Sequence, residues 1–386
     1  MTELPMPSDV LKQPGGGAPG AAPGAGAREE ASGGGAAPAD VAALGEPPSL
    51  KLMVRLFVIP LIIVALAVGI MFLISLMAGG NPTMDEALER LKRPGGNRTA
   101  EWLVGPASKQ RYMDAKALVD QMKAGMSEAD RVKLAGGLAD VLQNHTREGE
   151  GDIRHFLLLA LGRVWQRDPS QPPMDSEAAV TSRRAVLGVL SSYANDKDVA
   201  ARKAALLATV YLAGHPEARD AIPLLVGKLS DGAEDVDVRI AAATALGPLA
   251  GPGDSNVIEA LQSAMRTGDE RAAELEWSSA LSLAQLGQTE VAPTILKLLS
   301  REELANLRYY DRETDPKNPS YRGLSDLEQQ RILINTMIGA RNLPSPEVQQ
   351  QLRKLADGDP SPRVRAAGRE LLAEQKPATT AERVGR

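Results

Sequence analysis

The side chains best suited to chemistry are few in this chain, and their spacing says more about recognition than about catalysis. Its 386 residues contain three histidines, His145, His155 and His215, and no cysteine. Without cysteine there are no disulfides, thiol nucleophiles or thiolate metal sites. No two histidines stand three or four residues apart, as a helical metal pair requires, so they read as surface or helix-end residues. A phosphate-binding P-loop, an HExxH zinc helix and a GxSxG nucleophile turn are all missing from the sequence. The GPGDSN turn at Gly251 lacks the preceding strand that would give a glycine-rich loop a phosphate to hold. The sequence therefore predicts a protein that is not an enzyme and has neither cofactor nor metal.

Two sets of residues remain. Arg308, Tyr309, Tyr310, Arg312, Tyr321 and Arg322 crowd into one stretch that holds half of the six tyrosines. Tyrosine beside arginine is the mixture enriched at protein-binding hot spots, because both bury large area and still donate hydrogen bonds. The alternative is that the rings merely pin their own loop to the body of the protein. The second set is Arg154, Arg202, Arg239 and Arg365, each just inside the start of a predicted helix. Bonds to turn aspartates such as Asp198 and Asp235 are the expectation for these, in preference to a solvent-facing ladder.

Charge and composition narrow the partners. A net charge of −5, spread over many charges of both signs, excludes the clustered positive surface that nucleic acid needs. Aromatic residues make up only 3%. A core of alanine and leucine suits close helix packing better than sheets. The stretch from Leu56 to Ala78 has no charged side chain. As a helix rising about 1.5 Å per residue, it is long enough to cross a hydrocarbon layer of about 30 Å. It reads as a single transmembrane anchor and not as a signal peptide, being too long, too far from the N-terminus and without a following cleavage site. Lys51 and Arg55 beside it place the N-terminus in the cytoplasm and the rest beyond the membrane, as in a bacterial inner-membrane protein. Residues 1–49, rich in Gly, Ala and Pro, are expected to be a disordered tail.

The elements that position the arginines and tyrosines recur. Leu212, Leu249 and Leu286 lie 37 residues apart, as do Ala221, Ile258 and Ile295, and Leu224, Leu261 and Leu298. Two helices sharing one period form a unit that stacks on its neighbours. The clearest copy pairs Ala218 to Gly232 with Asp235 to Ala250. Two departures stand out: a Pro-rich QRDPSQPPMD between Arg154 and Arg202, and an insertion at about 301–326.

Pro223, Leu224, Leu225, Leu229 and Asp231, followed by Asp235, Val238, Arg239, Ala242, Ala245, Leu246 and Leu249, resemble the HEAT repeat of bacterial HEAT-like proteins. Arg202 and Arg365 stand at the same repeat position, whereas Glu276 replaces it in a degenerate copy. The resemblance implies an all-α fold, an α-solenoid of about six helix pairs over 129–375. Juxtamembrane helices and an N-terminal cap occupy 80–128 and a frayed tail 376–386. It also implies a scaffold or adaptor that binds other proteins along its surface. The other readings are a HEAT-like enzyme or accessory subunit akin to bilin lyases, and a structural envelope tether.

Overall fold

The computed structural model describes residues 83–93, 107–122, 125–146, 150–266, 272–311 and 320–374. The predicted anchor Leu56 to Ala78, its flanks within 50–79, the tail 1–49 and the C-terminal stretch 376–386 lie outside the described residues. No described helix is long and apolar enough to cross a membrane. From Pro82 onward the chain gathers into one compact unit.

That unit is built almost wholly of helices arranged in successive pairs. The first pair is α1 (Met84–Lys92) with α2 (Ala107–Met122), the second α3 (Glu128–Asn144) with α4 (Gly151–Val164), and the third α5 (Glu177–Tyr193) with α6 (Val199–Thr209). The fourth pair is α7 (Ile222–Ser230) with α8 (Val236–Leu249), and the fifth α9 (Ser255–Met265) with α10 (Ala273–Gln285). Next come α11 (Ala292–Leu298), the short α12 (Arg301–Asn306), strands β1 (Arg308–Asp311) and β2 (Ser320–Gly323), and then α13 (Asp326–Ala340). The last pair is α14 (Pro346–Gly358) with α15 (Pro362–Glu374). With α11 paired to α13 across the insertion, α3 to α15 supply the six expected pairs. The pair α1/α2 stands before them as a seventh of the same kind.

Helix starts are set by short polar side chains that accept an otherwise orphaned amide proton. Ser127, Ser176, Asp198, Asp235 and Ser345 each do this, and Thr83 with Glu86 and Ser325 with Glu328 form reciprocal capping boxes. Asp198 and Asp235 are thereby engaged with Ala200 and Asp237 of their own helices. They are not the acceptors expected for the arginines. Arg202, Arg239 and Arg365 instead bond the carbonyls that end their own first helix or its turn, and Arg202 and Arg154 also face a carboxylate in the next pair. Arg239 Nε donates to the Leu229 carbonyl at 3.0 Å, and Arg202 Nη1 to that of Asp196 at 2.9 Å. Arg365 bonds the Asp359 and Pro360 carbonyls. Arg202 also holds Glu234 of the next turn at 2.8 Å, and Arg154 lies 3.8 Å from Asp196. Burial alone would push Glu234 up, but Lys228, the Asp235 amide and Arg202 hold its carboxyl down to about 2.

The same bonding identifies the first pair. Arg111 on α2, almost fully buried, donates to the Leu91 carbonyl at the end of α1, and it reaches forward to the His145 carbonyl and to Glu150. Its sequence neighbours, RYMDAKALVD, lack the Val-Arg-x-x-Ala signal, which is why α1/α2 is not evident from the repeat pattern.

Second helices stack on one another in order and are buried on most sides. In α8, Val238, Ala241, Ala242, Ala243, Ala245, Leu246, Gly247 and Leu249 are all buried. The period of 37 holds here: Ala201, Val238 and Leu275 occupy one buried position, and Ala205, Ala242 and Ser279 another. First helices keep it less strictly. In α7, which follows a 3₁₀ turn over Pro216–Ala221, the buried residues include Leu225 and Leu229, with Leu224 only half-buried. Leu225 therefore matches Leu261 at a spacing of 36, not 37.

Close approach of second helices depends on missing side-chain atoms. A Cβ on Gly162 of α4 would overlap the Ala208 carbonyl oxygen of α6 and come within 2.9 Å of its carbon. Gly136, in the middle of α3, has nothing within 4 Å of that position. Gly162→Ala should accordingly lower stability by about 1–3 kcal/mol, since backbone must move. Gly136→Ala should raise it by about 0.5–1 kcal/mol through lost chain entropy. Urea unfolding of the two variants beside the parent checks both signs.

Candidate protein-binding site

The insertion is not a plain loop. Residues 308–311 and 320–323 pair as an antiparallel hairpin in the register Arg308↔Gly323, Tyr309↔Arg322, Tyr310↔Tyr321 and Asp311↔Ser320. Short aromatic strands suit a pleated surface, but four residues fall below the length at which alternation stands out from a helical background.

The pleat sorts the predicted residues into two faces, because successive side chains in a strand point to opposite sides. Tyr309, Asp311 and Arg322 share the face turned toward the helices. Tyr309 is 7% exposed and Asp311 5%. The Tyr309 hydroxyl donates to Glu328 Oε1 at 3.0 Å, and the Arg322 guanidinium lies 4.7 Å from the centre of the Tyr309 ring. Arg322 also forks onto both Glu328 oxygens, at 2.6 and 2.9 Å, and pairs with Asp311. The opposite face carries Arg308, Tyr310 and Tyr321. Arg308 is exposed, Tyr310 is half-buried, and Tyr321 is 42% exposed. The two rings meet edge to face with centroids 5.2 Å apart, a cross-strand pairing that stiffens the hairpin. Arg312 lies outside the described residues.

Of the six predicted residues, Tyr309 and Arg322 thus pin the hairpin to its own repeat, while Arg308, Tyr310 and Tyr321 are presented outward. Glu328 is the residue that sequence reasoning missed, although Ser325-x-x-Glu328 is a readable capping box. It serves the cap and the hairpin at once, since Ser325 also donates to it.

A second polar cluster escaped the sequence reading. Arg183 on α5 has no exposed surface, yet it bonds Glu217 through Nε and Nη2 at 3.1 Å, the Met174 carbonyl at 2.6 Å and Asp175 at 3.3 Å. It lies 5.4 Å from the centre of the Trp165 ring. The Pro-rich stretch between Arg154 and Arg202 therefore plays a structural part, because its end at Met174 and Asp175 satisfies a buried guanidinium. His215 belongs to the same cluster, bonded to the Trp165 carbonyl at 2.8 Å, and burial first and then Arg183 push its imidazole pKa down. Through Arg183 and Glu217 this cluster binds the third pair to the fourth. Among the described residues no group of three His, Asp or Glu stands ready for a metal. A groove of about 790 Å³ between α3 and α5 is lined mostly by small side chains such as Ala135, Gly136, Ala139 and Ala185, and holds none of the predicted site residues.

Charge fixes how the hairpin responds to acid. Arg322 is the main cause that holds the Glu328 carboxyl down to about 2 from an ordinary 4.5. Burial and the bond to Glu328 push the Tyr309 phenol up. Since Glu328 is depressed in the folded state, its contribution is complete above about pH 4.5 and is lost as pH falls toward 2. Near-ultraviolet circular dichroism of the tyrosines should weaken over that window. In Glu328→Gln the hairpin should be loosened already at pH 7, by about 1–3 kcal/mol, and the acid transition should shrink.

No family model matches the chain, and no curated protein does either. Among solved structures it is similar to human deoxyhypusine hydroxylase in complex with glycerol, at 17% identity over 75% of this chain and 94% of that one, with a TM-score of 0.28. So loose a likeness carries no inference about activity.

Proposed function

We propose that this chain is a protein-interaction scaffold or adaptor, anchored in a membrane through Leu56 to Ala78, and that its hairpin is a docking face for another protein. The observation that carries this reading is the sorting of the hairpin's side chains. Tyr309, Arg322, Asp311 and Glu328 lock it from behind, so that Arg308, Tyr310 and Tyr321 are held outward by a rigid base. A pre-set aromatic pair loses little side-chain entropy on binding, which raises the affinity drawn from a small contact. Arg308 adds a charge that can steer an approaching partner and fork onto its carboxylates. The HEAT-like repeat reading fits this role, since stacked helix pairs serve as stiff carriers for binding loops. Anchoring would raise the local concentration of both partners. The same reading places the repeats outside the cytoplasm, with no enzymatic step and no nucleic acid.

A photoreactive phenylalanine analogue at position 321 tests the docking face in living cells. Irradiation should give a discrete protein adduct at 321 and none at the exposed Arg184 of α5. Tyr310→Ala should reduce the adduct about tenfold or more, as loss of a hot-spot ring does. An adduct pattern the same at 184 and 321 would overturn the proposal.

A further inference from the structure

Polar bonds clamp neighbouring pairs together along the chain. Lys133 holds Asp85 at 2.7 Å between the first and second pairs, and the Tyr193 hydroxyl donates to the Leu142 carbonyl at 2.5 Å between the second and third. Arg183 and Arg202 hold Glu217 and Glu234 between the third and fourth. Arg219 pairs with Asp254 at 2.8 Å, and Ser282 donates to the Ala243 carbonyl at 2.7 Å, between the fourth and fifth. Between the sixth and seventh, Arg301 grips both Asp359 oxygens, at 2.7 and 2.9 Å, and Gln351 bonds the Leu299 carbonyl at 2.8 Å.

The junction between the fifth and sixth pairs differs on three counts. Glu276 stands at the arginine position of α10, and as an exposed carboxylate it cannot donate to turn carbonyls. What spans the junction among the described residues is an exposed hydrogen bond from Gln262 to Glu290, 2.7 Å long. The first helices α9 and α11 pack only marginally, whereas the other neighbouring first helices are in firm contact, α5 through the 3₁₀ turn that leads into α7. Contact persists on the second-helix side, where Leu281 and Gln285 of α10 lie 3.1 and 3.6 Å from the Cβ position of Gly339 in α13.

We propose that this junction is a joint, hinged where α10 meets α13 at Gly339 and opening between α9 and α11. Its motion carries α11 to α15, with the hairpin, as one block against α1 to α10. Loss of an exposed hydrogen bond and a thin first-helix contact is a small barrier, whereas opening the other junctions breaks stronger or more numerous bonds, most of them charge-assisted. The hairpin follows α11 directly, so the joint sets the direction in which Arg308, Tyr310 and Tyr321 face. This holds whether or not that face binds a protein.

The absence of cysteine allows a direct test on the full chain, with spin labels on introduced cysteine pairs. Glu259→Cys with Arg353→Cys spans the fifth/sixth and sixth/seventh junctions, and Arg184→Cys with Glu259→Cys spans the third/fourth and fourth/fifth. All three positions are exposed. The first pair should give a distance distribution at least about twice as broad as the second, as expected when one of two matched segments contains a hinge. Equal widths would overturn the joint. Hydrogen exchange on the unlabelled chain provides an independent reading. Amides of α11 should exchange at least about tenfold faster than those of α7 and α14, and equal protection of the three would likewise overturn it.

Discussion

The architecture depends on one recurring interaction, an arginine near the start of a second helix that turns back to the carbonyls ending its own first helix. A helix end leaves up to four carbonyls without intrahelical partners and a partial negative charge. Guanidinium is suited to both, because it stays charged and offers several donors in a fixed fork. Arg111, Arg202, Arg239 and Arg365 use part of that fork on their own pair. Arg111 and Arg202 spend the remainder on a carboxylate in the next pair. One side chain thus closes a helical hairpin and fastens it to its neighbour. Lysine in the same place would reach one acceptor set or the other with less geometric control.

Such fastening matters because no single pair can bury its apolar face alone. The core consists of second helices lying side by side, and alanine and glycine let them approach. Gly162 against Ala208, Gly247 against Ser282 and Gly368 against Met337 are three such close points. Small side chains bury less apolar area per residue than leucine or phenylalanine, so cohesion must come from closeness and from bonds that bridge the turns. The aromatic poverty of the sequence and the density of inter-pair ion pairs are therefore two sides of one solution.

Burial on nearly all sides also decides which parts of the fold were legible. The 37-residue period was readable partly because Leu212, Leu249 and Leu286, all buried where the second helices end, repeat one residue type. In α7 the buried leucine is shifted by one residue, Leu225 in place of Leu224, and two adjacent leucines give composition no means of telling which faces inward. Arg111 was invisible as a repeat residue for want of the flanking Val and Ala, although its bonds match those of Arg202. The buried Arg183 with Glu217 could not be inferred, since 34 residues separate them and nothing local marks either as a partner. For the insertion, composition pointed to the residues that form the hairpin but not to their orientation. That required the strand register, which places Tyr309 and Tyr310 on opposite faces.

The hairpin also shows how an insertion becomes part of a repeat instead of hanging from it. Glu328 would be needed at the third position of α13 even without the hairpin, because it completes the cap with Ser325. The hairpin borrows that carboxylate: Arg322 and the Tyr309 hydroxyl bond to the same group that orders the helix start. Forming α13 therefore prepares the anchor for the strands, and closing the strands neutralises a carboxylate that the helix must hold in any case. Two strands of four residues would be marginal in isolation. Here their order is coupled to the folding of a core helix, so the outward face is as rigid as the repeat beneath it, and any movement available to it must come from the repeats and not from the hairpin itself.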